Sequence, residues 1–521
     1  MTEIEFVFAL LVLVVALVRV AGAIRIPYPI LVVAGGLAMG FVPGLPEIEL
    51  EPDVIFLVFL PPLLYSAAFF SSPRELRANI GPISRLAVGL VLVTIVVVAL
   101  ASRLLLDLPW AVAFVLGAIL APTDPVAAVA VFRRLGVPQR TQTIVEGESL
   151  INDSTGLVAL SVALGAVGGT FSVGEAALEF VLVSAGGVAI GLALGWVVAH
   201  LRRRLDDPPV EITISLITPY AAYLPAEQLG ASGVLATVTV GLYMGWQSPG
   251  LFLAGTRLQA YAFWQVLDFL LNSLLFVLIG LQAPRLFDEV SDSPGTAIAV
   301  AAAIVAVLIA VRMLWTFTVP GLVRLARSAV GSEALMLSPR ERVLVGASGM
   351  RGAISVAAAL SIPLEAEGGG AFPERDLVIL VAFCVVVATL VLQGVSLPAL
   401  ARRLGLAEPE PDAEGEARTR AQVARAALSR LDEIAGDEHL DKDTEQRVRA
   451  VYEARLDRLE HRAEHGDRHD GGPAVYERVR RELIAAERSA VHRMSADGEI
   501  DNDETRRLER DLDLEESRLE G

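Results

Sequence analysis

The first 405 residues are a succession of apolar runs, most of them about 20 residues long, separated by short polar stretches. A helix of about 20 apolar residues crosses the hydrocarbon core of a bilayer. We therefore predict an all-α polytopic membrane protein with about 13 transmembrane helices, at residues 5–24, 28–44, 53–71, 81–106, 109–132, 144–168, 176–200, 210–228, 231–247, 259–282, 295–322, 341–363 and 377–400. The first run follows Glu3 and Glu5 rather than basic residues, so we expect an uncleaved helix and not a signal peptide.

The loops between these runs alternate in charge. Arginines follow the odd-numbered runs, as at Arg74 and Arg77 after the third and Arg133 and Arg134 after the fifth. The loops after even-numbered runs are acidic or nearly neutral. The positive-inside rule then predicts an N-terminus outside and a C-terminal tail in the cytoplasm. We expect a multi-pass protein of the plasma (inner) membrane.

Two of the runs are interrupted, and they lie seven runs apart. If the thirteen runs divide into six, one linker and six, the two sets of six have opposite orientations, as in the inverted repeats of many secondary transporters. The fifth run contains Pro122 and Pro125 on either side of Thr123 and Asp124, and the twelfth has three glycines around Arg351. Broken backbone inside a membrane is tolerated where it is buried in protein or lines a wet cavity. A proline kink with Asp124 as a helix cap is the alternative interpretation.

The sixth run carries polar residues at a spacing that suits one face of a helix. Ser149 and Asp153 are four apart, as are Glu148 and Asn152, so these residues form adjacent rows one turn apart. A charge at the centre of a membrane helix costs about 2.5–3.5 kcal/mol on insertion scales, which favours a functional role for these carboxylates. With Asp124 and the Thr123 backbone they offer only oxygen atoms, the ligands of a hard cation.

These oxygens predict a chemistry that needs no cofactor. A carboxylate withdrawn from water can hold either a proton or Na⁺, and competition for one carboxylate is sufficient for exchange transport. No Gly-rich phosphate loop of the Walker pattern occurs in the chain. We further expect Glu148 to form an ion pair with Arg351. Arg312, in the eleventh run, is expected to reach the membrane interface, and Asp268 to line a cytoplasmic funnel or to make a helix-packing hydrogen bond.

Composition divides the chain in two. The 521 residues are 54% hydrophobic, with a mean hydropathy of +0.56, yet their net charge is −17. Residues 408–521 hold 32 acidic and 20 basic side chains, which accounts for most of that charge. We predict a transmembrane exchanger domain at residues 1–405 and an acidic helical cytoplasmic tail at 406–521. The acidic balance argues against nucleic-acid binding, and the single cysteine, Cys384, excludes an internal disulfide.

The tail has helical periodicity from residue 417 to about 465 and again from 474 to about 493, with a break at 466–473 that predicts a helical hairpin or small bundle. His461 and His465 share one helical stripe. They are candidates for a pH sensor or for an ordinary solvated helix face.

Several of these motifs together resemble one known family, the NhaP/NHE-type sodium–proton antiporters. The resemblance covers about residues 1–405 and rests on Leu60–Tyr65, Ala121–Pro125, Gly147–Asp153, Phe269–Ser273 and Gly349–Ala353. It implies an NhaA-like fold, a homodimer, and a six-helix core domain that moves against a dimerisation domain. It also implies that Asp153 is the ion and proton carrier, that Asp124 completes the site, and that Glu148 and Arg351 form a structural ion pair.

The resemblance also bears on stoichiometry and ion choice. Asn152 stands where electrogenic relatives have an aspartate, which implies electroneutral exchange. Some archaeal relatives have a glutamate after the Pro-Pro motif, where this chain has Ser66, a weaker candidate ligand. The leading hypothesis is therefore pH homeostasis by exchange of Na⁺, or Li⁺ or K⁺, for H⁺. A K⁺/H⁺ antiporter of the same fold is the alternative. An intramembrane enzyme or a cation channel fits the motifs less well.

Overall fold

The computed structural model describes residues 3–24, 26–42, 57–168, 173–205, 207–251, 254–289, 294–327, 337–366, 369–407, 413–437, 441–465, 472–497 and 502–520. In these ranges the chain is helical apart from short turns and one isolated bridge between Glu365 and Ala371. The prediction of an all-α protein is confirmed. The chain divides into two compact units, Met1–Pro409 and Glu410–Gly521.

The described helices of the first unit overlap the predicted apolar runs, except for the short helix Pro73–Ala78, which lies between the third and fourth runs. They are α1 Glu3–Ile24, α2 Tyr28–Gly40, α3 Leu60–Phe70, α4 Pro73–Ala78, α5 Ile80–Leu106, α6 Trp110–Leu120, α7 Val126–Leu135, α8 Gln139–Gly168, α9 Val173–Arg202, α10 Pro208–Gln228, α11 Gly233–Leu251, α12 Ala254–Glu289, α13 Pro294–Arg327, α14 Pro339–Ala347, α15 Ala353–Leu360 and α16 Arg375–Arg403.

Seven of the described helices, α1, α5, α8, α9, α12, α13 and α16, are long and apolar enough to cross a membrane by length and composition. The other predicted runs fall short of that criterion for physical reasons. Helices α2, α3 and α6 have fewer than 18 residues. Helix α10 carries Glu211 and Glu227 and contains two internal prolines.

The fifth and twelfth runs are both interrupted where the sequence predicts. Helix α6 ends at Leu120 and α7 begins at Val126, after the Pro122–Pro125 segment. Helix α14 ends at Ala347 and α15 begins at Ala353, after the glycine-rich segment. Proline removes a backbone donor and clashes with the preceding turn, and glycine weakens a helix by its conformational freedom, so both segments end the helices that contain them.

The largest apolar cluster of the first unit surrounds the two interrupted runs. It includes Leu116, Ile119, Phe132 and Val345, all less than 6% exposed. Helices α5 and α6 approach closely at Gly117, where an added Cβ would lie 2.5 Å from the carbonyl oxygen of Ile95. Small residues allow this kind of close helix packing in membrane proteins. The broken segments are therefore held in a tightly packed surrounding.

Helix α5 departs from regular α-helical geometry near its start. Residues Arg85–Leu90 form a π-helical turn within this helix. Such turns occur mostly as single bulges in α-helices and frequently accompany functional sites. Gly89 lies in the turn and packs against Trp315 of α13, with its added Cβ 2.8 Å from the ring.

The described part of the second unit contains four helices, α17 Ala413–Asp437, α18 Lys442–His465, α19 Gly472–Ala496 and α20 Asn502–Glu520. Helix α17 packs on α18, and α19 packs on α20. Ion pairs join both couples, as from Arg449 to Asp432 and from Arg488 to Asp513. His461 is exposed. The rest of the predicted histidine stripe and most of the predicted break lie outside the described residues or side chains.

Candidate cation site at the crossing of two broken helices

The two unwound segments cross in the first unit and are hydrogen-bonded to each other. The backbone N–H of Asp124 donates to the carbonyl oxygen of Met350 over 2.8 Å. The approach is so close that a Cβ on Gly352 would lie 1.7 Å from Oδ2 of Asp124. Only glycine fits at position 352, which explains why a glycine-rich segment faces a proline-rich one.

Asp124 is half-buried at this crossing and uses its two carboxylate oxygens differently. Oδ1 accepts a hydrogen bond of 2.8 Å from the backbone N–H of Val126, at the start of α7. The N-cap residue of α7 is Pro125, which makes no side-chain cap hydrogen bond, so Asp124 is not the N-cap that the alternative interpretation of the sequence requires. Oδ2 faces the backbone of Gly352. The hydrogen bond to Val126 places the negative charge of the Asp124 carboxylate beside the N-terminus of α7, where the helix dipole stabilises it.

Arg351 satisfies backbone carbonyls that the broken helices expose. Its Nε donates to the carbonyl oxygen of Leu120, the last residue of α6, over 2.9 Å, and its Nη1 donates to the carbonyl oxygen of Gly349. The backbone N–H of Arg351 donates to the hydroxyl of Thr389 over 3.2 Å. The side chain is 2% exposed. Arg351 therefore stabilises the crossing itself, because carbonyls inside a membrane need donors.

Glu148 has a different partner from the one the sequence predicts. Its two carboxylate oxygens accept from both terminal nitrogens of Arg312, with Nη2 to Oε2 at 2.8 Å, and both side chains are at most 3% exposed. The Glu148–Arg351 pair is therefore not formed, and Arg312 does not reach the membrane interface. Nε of Arg312 also donates to the carbonyl oxygen of Val345 over 3.1 Å, which ties α13 to α14.

A signal for this pair was present in the sequence. Arg312 lies ten residues before the end of the predicted run 295–322, which corresponds to about 15 Å of helix. That depth is too great for a side chain to reach the interface easily, and a buried guanidinium requires an anion. Gly349 provides the space, because an added Cβ there would lie 2.4 Å from Cδ of Arg312.

Thr123 links the broken fifth run to α8 through three hydrogen bonds. The hydroxyl of Ser149 donates to the Thr123 carbonyl oxygen over 2.8 Å. Nδ2 of Asn152 donates to the Thr123 hydroxyl oxygen over 2.8 Å, and that hydroxyl donates to Oε1 of Glu148 over 3.4 Å. The two helical rows predicted from the spacing thus converge on one residue of the unwound segment.

The remaining polar atoms of this group are acceptors. Oδ1 of Asn152 is buried without a hydrogen-bond partner in the described part of the chain, although Asn152 is 0% exposed. Asp153 is 6% exposed and lies within electrostatic reach of Asp124 and Glu148. An orphaned buried acceptor is costly, and a bound cation is one way to satisfy it. The donor set, carboxylate and amide oxygens, is that of a hard cation.

Ser66 lies in a separate hydrogen-bonded pair. Its hydroxyl donates to Oδ2 of Asp268, on α12. Nδ2 of Asn272 donates to the backbone carbonyl of Asp268 over 2.9 Å. Of the two sequence interpretations of Asp268, the structure shows the interhelical hydrogen bond. Tyr28 lies within electrostatic reach of both Asp124 and Asp268, so the Ser66–Asp268 pair lies near the crossing.

The chain is similar to known transport proteins over most of its length. Residues 8–403 match the family described as "Sodium/hydrogen exchanger, transmembrane". An uncharacterized Na⁺/H⁺ exchanger of Mycobacterium tuberculosis is 35% identical, covering 98% of this chain and 96% of that one. The Na⁺/H⁺ antiporter ApNhaP of Aphanothece halophytica is 34% identical, covering 73% of this chain and 70% of that one.

A solved structure supports the fold independently. The sodium proton antiporter MjNhaP1 of Methanocaldococcus jannaschii superposes with a TM-score of 0.62 at 23% identity, covering 78% of this chain and 99% of that one. The motifs, the family match over residues 8–403 and the similarity along nearly the whole chain agree. This chain belongs to the sodium/hydrogen exchanger family.

Proposed function

We propose that the chain is a secondary antiporter that exchanges Na⁺ for H⁺ at the crossing of the two broken helices. The observation that carries this proposal is the buried acceptor Oδ1 of Asn152 beside Asp153, next to a carboxylate, Asp124, fixed at the crossing. Relatives are named for the same exchange, including ApNhaP. No resident cofactor takes part in the proposed reaction.

The proposed cycle uses competition at Asp153. With its proton, Asp153 is neutral and presents no charge to Na⁺. When the proton leaves, Na⁺ binds between Asp153, Asp124 and the Asn152 amide oxygen, with Ser149 and Thr123 holding the geometry. Because one carboxylate carries either ion, neither gradient dissipates without the other. Exposure of the loaded site to one side of the membrane and then the other completes the exchange.

Charge balance in this scheme favours electroneutral exchange. Na⁺ and H⁺ carry the same charge, and one ion replaces the other at Asp153. Asn152, the neighbour on α8, is neutral and donates its amide hydrogen to Thr123. An aspartate at that position would add a second titrating group, and the neutral amide supports a ratio of one proton for one cation.

We propose that the membrane unit has thirteen spans arranged as two inverted repeats. The two interrupted runs support this, since α6–α7 and α14–α15 are seven runs apart and cross each other. The loop charges support an external N-terminus and a cytoplasmic tail. By resemblance to the family, we also propose a homodimer in the plasma membrane, in which a core domain containing the crossing moves against a dimerisation domain.

The cation preference is proposed as Na⁺, with Li⁺ and K⁺ as further substrates. A relative from Bacillus pumilus, 35% identical over 73% of this chain, is named as a sodium, potassium, lithium and rubidium/H⁺ antiporter. Ser66 donates its hydrogen to Asp268 and leaves no carboxylate on α3 at that position. A site with fewer carboxylates attracts a monovalent cation less strongly and distinguishes less between the smaller Na⁺ and the larger K⁺, so K⁺/H⁺ exchange by the same site is the second candidate.

Exchange in everted membrane vesicles tests this function. Addition of Na⁺ to acid-loaded vesicles should collapse the pH gradient, and Asp153→Asn, which keeps size and polarity but cannot bind the proton as a carboxylate, should reduce the rate at least 100-fold. Glu146→Gln is the matched control, because Glu146 lies two residues before Glu148 on α8 but forms an exposed pair with Arg133. Full exchange by the Asp153→Asn protein would refute the proposal.

A further inference from the structure

A cavity of about 670 Å³ lies away from the crossing; it is bounded by the starts of α5 and α8, the end of α13, and α14. Three arginines line it, Arg85, Arg140 and Arg342. Among the described residues of the lining there is one carboxylate, that of Glu75, whose Oε2 accepts a hydrogen bond of 2.6 Å from the Thr143 hydroxyl. Positive charge therefore predominates among the described polar residues of the lining. We call this space the arginine cavity.

The three arginines come from three different segments and are held at the wall. Nε of Arg140 donates to Oδ1 of Asn79 over 3.0 Å, and Nε of Arg342 donates to the carbonyl oxygen of Leu337 over 3.0 Å. Arg85 lies in the π-helical turn of α5, which alters the direction in which this helix presents its side chains. All three are half-buried. Guanidinium groups that line one cavity are suited to binding phosphate oxygens.

The other walls of the arginine cavity are apolar. Ile80, Trp315, Val319 and Pro320 line it. Ile80 is 53% exposed, and Leu314, beside Trp315 on α13, is 66% exposed, so the cavity adjoins an apolar outer surface. A small soluble anion would contact only the arginines and would leave the apolar walls uncovered. An amphiphile with an anionic head group and an acyl chain would contact both the arginines and the apolar walls.

We propose that the arginine cavity binds an anionic phospholipid. Its phosphate would lie between Arg85, Arg140 and Arg342, and the part of an acyl chain nearest the head group would lie along α13. The volume lies within the range of about 300–1,000 Å³ typical of ligand pockets and accommodates a head group with part of a chain. Basic pockets between transmembrane helices at the cytoplasmic side bind such head groups. The location in the cytoplasmic leaflet rests on the orientation given under the proposed function.

The arginine cavity is adjacent to the buried ion pair of the transport site. Val345 lines the cavity, and its carbonyl oxygen accepts from Nε of Arg312. Thr316, also in the lining, lies one helical turn after Arg312 on α13. A bound lipid would therefore hold α13 and α14 together at the point where Arg312 reaches Glu148. Occupancy by lipid should increase the stability of the protein and alter its exchange rate.

Lipid binding by the purified full chain in neutral detergent tests the proposal without any transport measurement. Native mass spectrometry and thermal unfolding should show retention of phosphatidylglycerol and stabilisation by it, and neither effect with phosphatidylcholine. Each of Arg85→Gln, Arg140→Gln and Arg342→Gln should weaken phosphatidylglycerol binding about fivefold, given about 1 kcal/mol for each basic residue near anionic lipid. Arg134→Gln is the matched control, since Arg134 is exposed and does not line the cavity.

The outcomes separate the proposal from its alternatives. Unchanged phosphatidylglycerol binding in all three variants would overturn it, as would equal stabilisation by inorganic phosphate alone. Val319→Trp, which fills the apolar part and leaves the arginines in place, should also weaken binding, and full binding by this variant would contradict the placement of the acyl chain. The Asp153→Asn protein should bind phosphatidylglycerol normally, so failure of the exchange mechanism leaves this result unaffected.

Discussion

At the scale of single residues, the sequence identified the polar groups but not all of their partners. Thr123, Asp124, Ser149, Asn152 and Asp153 were recognisable because each is a polar residue inside an apolar run, where its burial needs a reason. The contacts between these polar side chains depend on how helices that are far apart in sequence are rotated and on how deep each residue lies in the membrane. The pairing of Glu148 with Arg312 instead of Arg351 is set by such packing, through the space at Gly349.

The Glu148–Arg312 pair leads to a prediction about stability. Arg312→Gln should destabilise the protein by about 3–5 kcal/mol, because it leaves a buried carboxylate without its cation. Unfolding of the purified protein in mixed micelles measures this. Glu148→Gln combined with Arg312→Gln should recover a large part of the loss, since no uncompensated charge remains.

Arg133→Gln is the control for this experiment. Arg133, on α7, pairs with Glu146, which lies on the same helix as Glu148. Because the Arg133 side chain is 70% exposed, Arg133→Gln should lower the free energy of unfolding by only about 0–1 kcal/mol. Equal effects of Arg312→Gln and Arg133→Gln would show that the buried pair is not the stabilising contact described here.

At the scale of helices, the apolar runs and the breaks were predictable, and the crossing was not. Length and hydrophobicity locate a helix, and proline or glycine locates its interruption, because these depend on nearby residues. The crossing depends on a contact between positions 124 and 352, which no local pattern records. The criterion of length and apolarity also recognises α5 and α16 but not the half-helices α6, α7, α14 and α15.

The close approach at Gly352 gives a prediction at this scale. Gly352→Ala should push the two segments apart, because its Cβ would overlap the Asp124 carboxylate, and Na⁺/H⁺ exchange should fall at least tenfold. Gly165→Ala on α8 is the control, since nothing lies within 4 Å of its added Cβ. In that helix, alanine should be neutral or stabilising by up to about 1 kcal/mol. Vesicle exchange rates, normalised to folded protein, measure both.

An unaltered exchange rate in the Gly352→Ala protein would contradict the crossing as the place of transport. A loss of the same size in the Gly165→Ala protein would instead indicate a general intolerance of substituted glycines. The two results together distinguish an effect of the contact between Gly352 and Asp124 from a general effect on folding.

At the scale of the whole molecule, charge was the most informative property. The net charge of −17 conflicts with a mean hydropathy of +0.56 until the acidic residues are placed in a separate unit. The structure contains two compact units, divided after Pro409. The first contains the crossing and the arginine cavity. The second contains exposed ion pairs, which contribute little to stability individually.

This division predicts the effect of removing the second unit. A chain that ends after residue 409 should insert, fold and exchange Na⁺ for H⁺ at a rate within about threefold of the full chain, because every residue of the proposed site lies in the first unit. Exchange in vesicles and unfolding in detergent measure this. A folded but inactive shortened protein would show that the second unit takes part in transport.

In the proposed mechanism, Na⁺ and H⁺ compete for Asp153. The most direct test is the apparent KM for Na⁺ measured across pH in vesicles at zero membrane potential, with the maximal rate followed in parallel. Competition predicts that KM falls as pH rises, because deprotonation frees the carboxylate for Na⁺. At pH values where the carboxylate is mostly protonated, KM should fall about tenfold per pH unit at a constant maximal rate. A KM that does not change with pH would contradict the account.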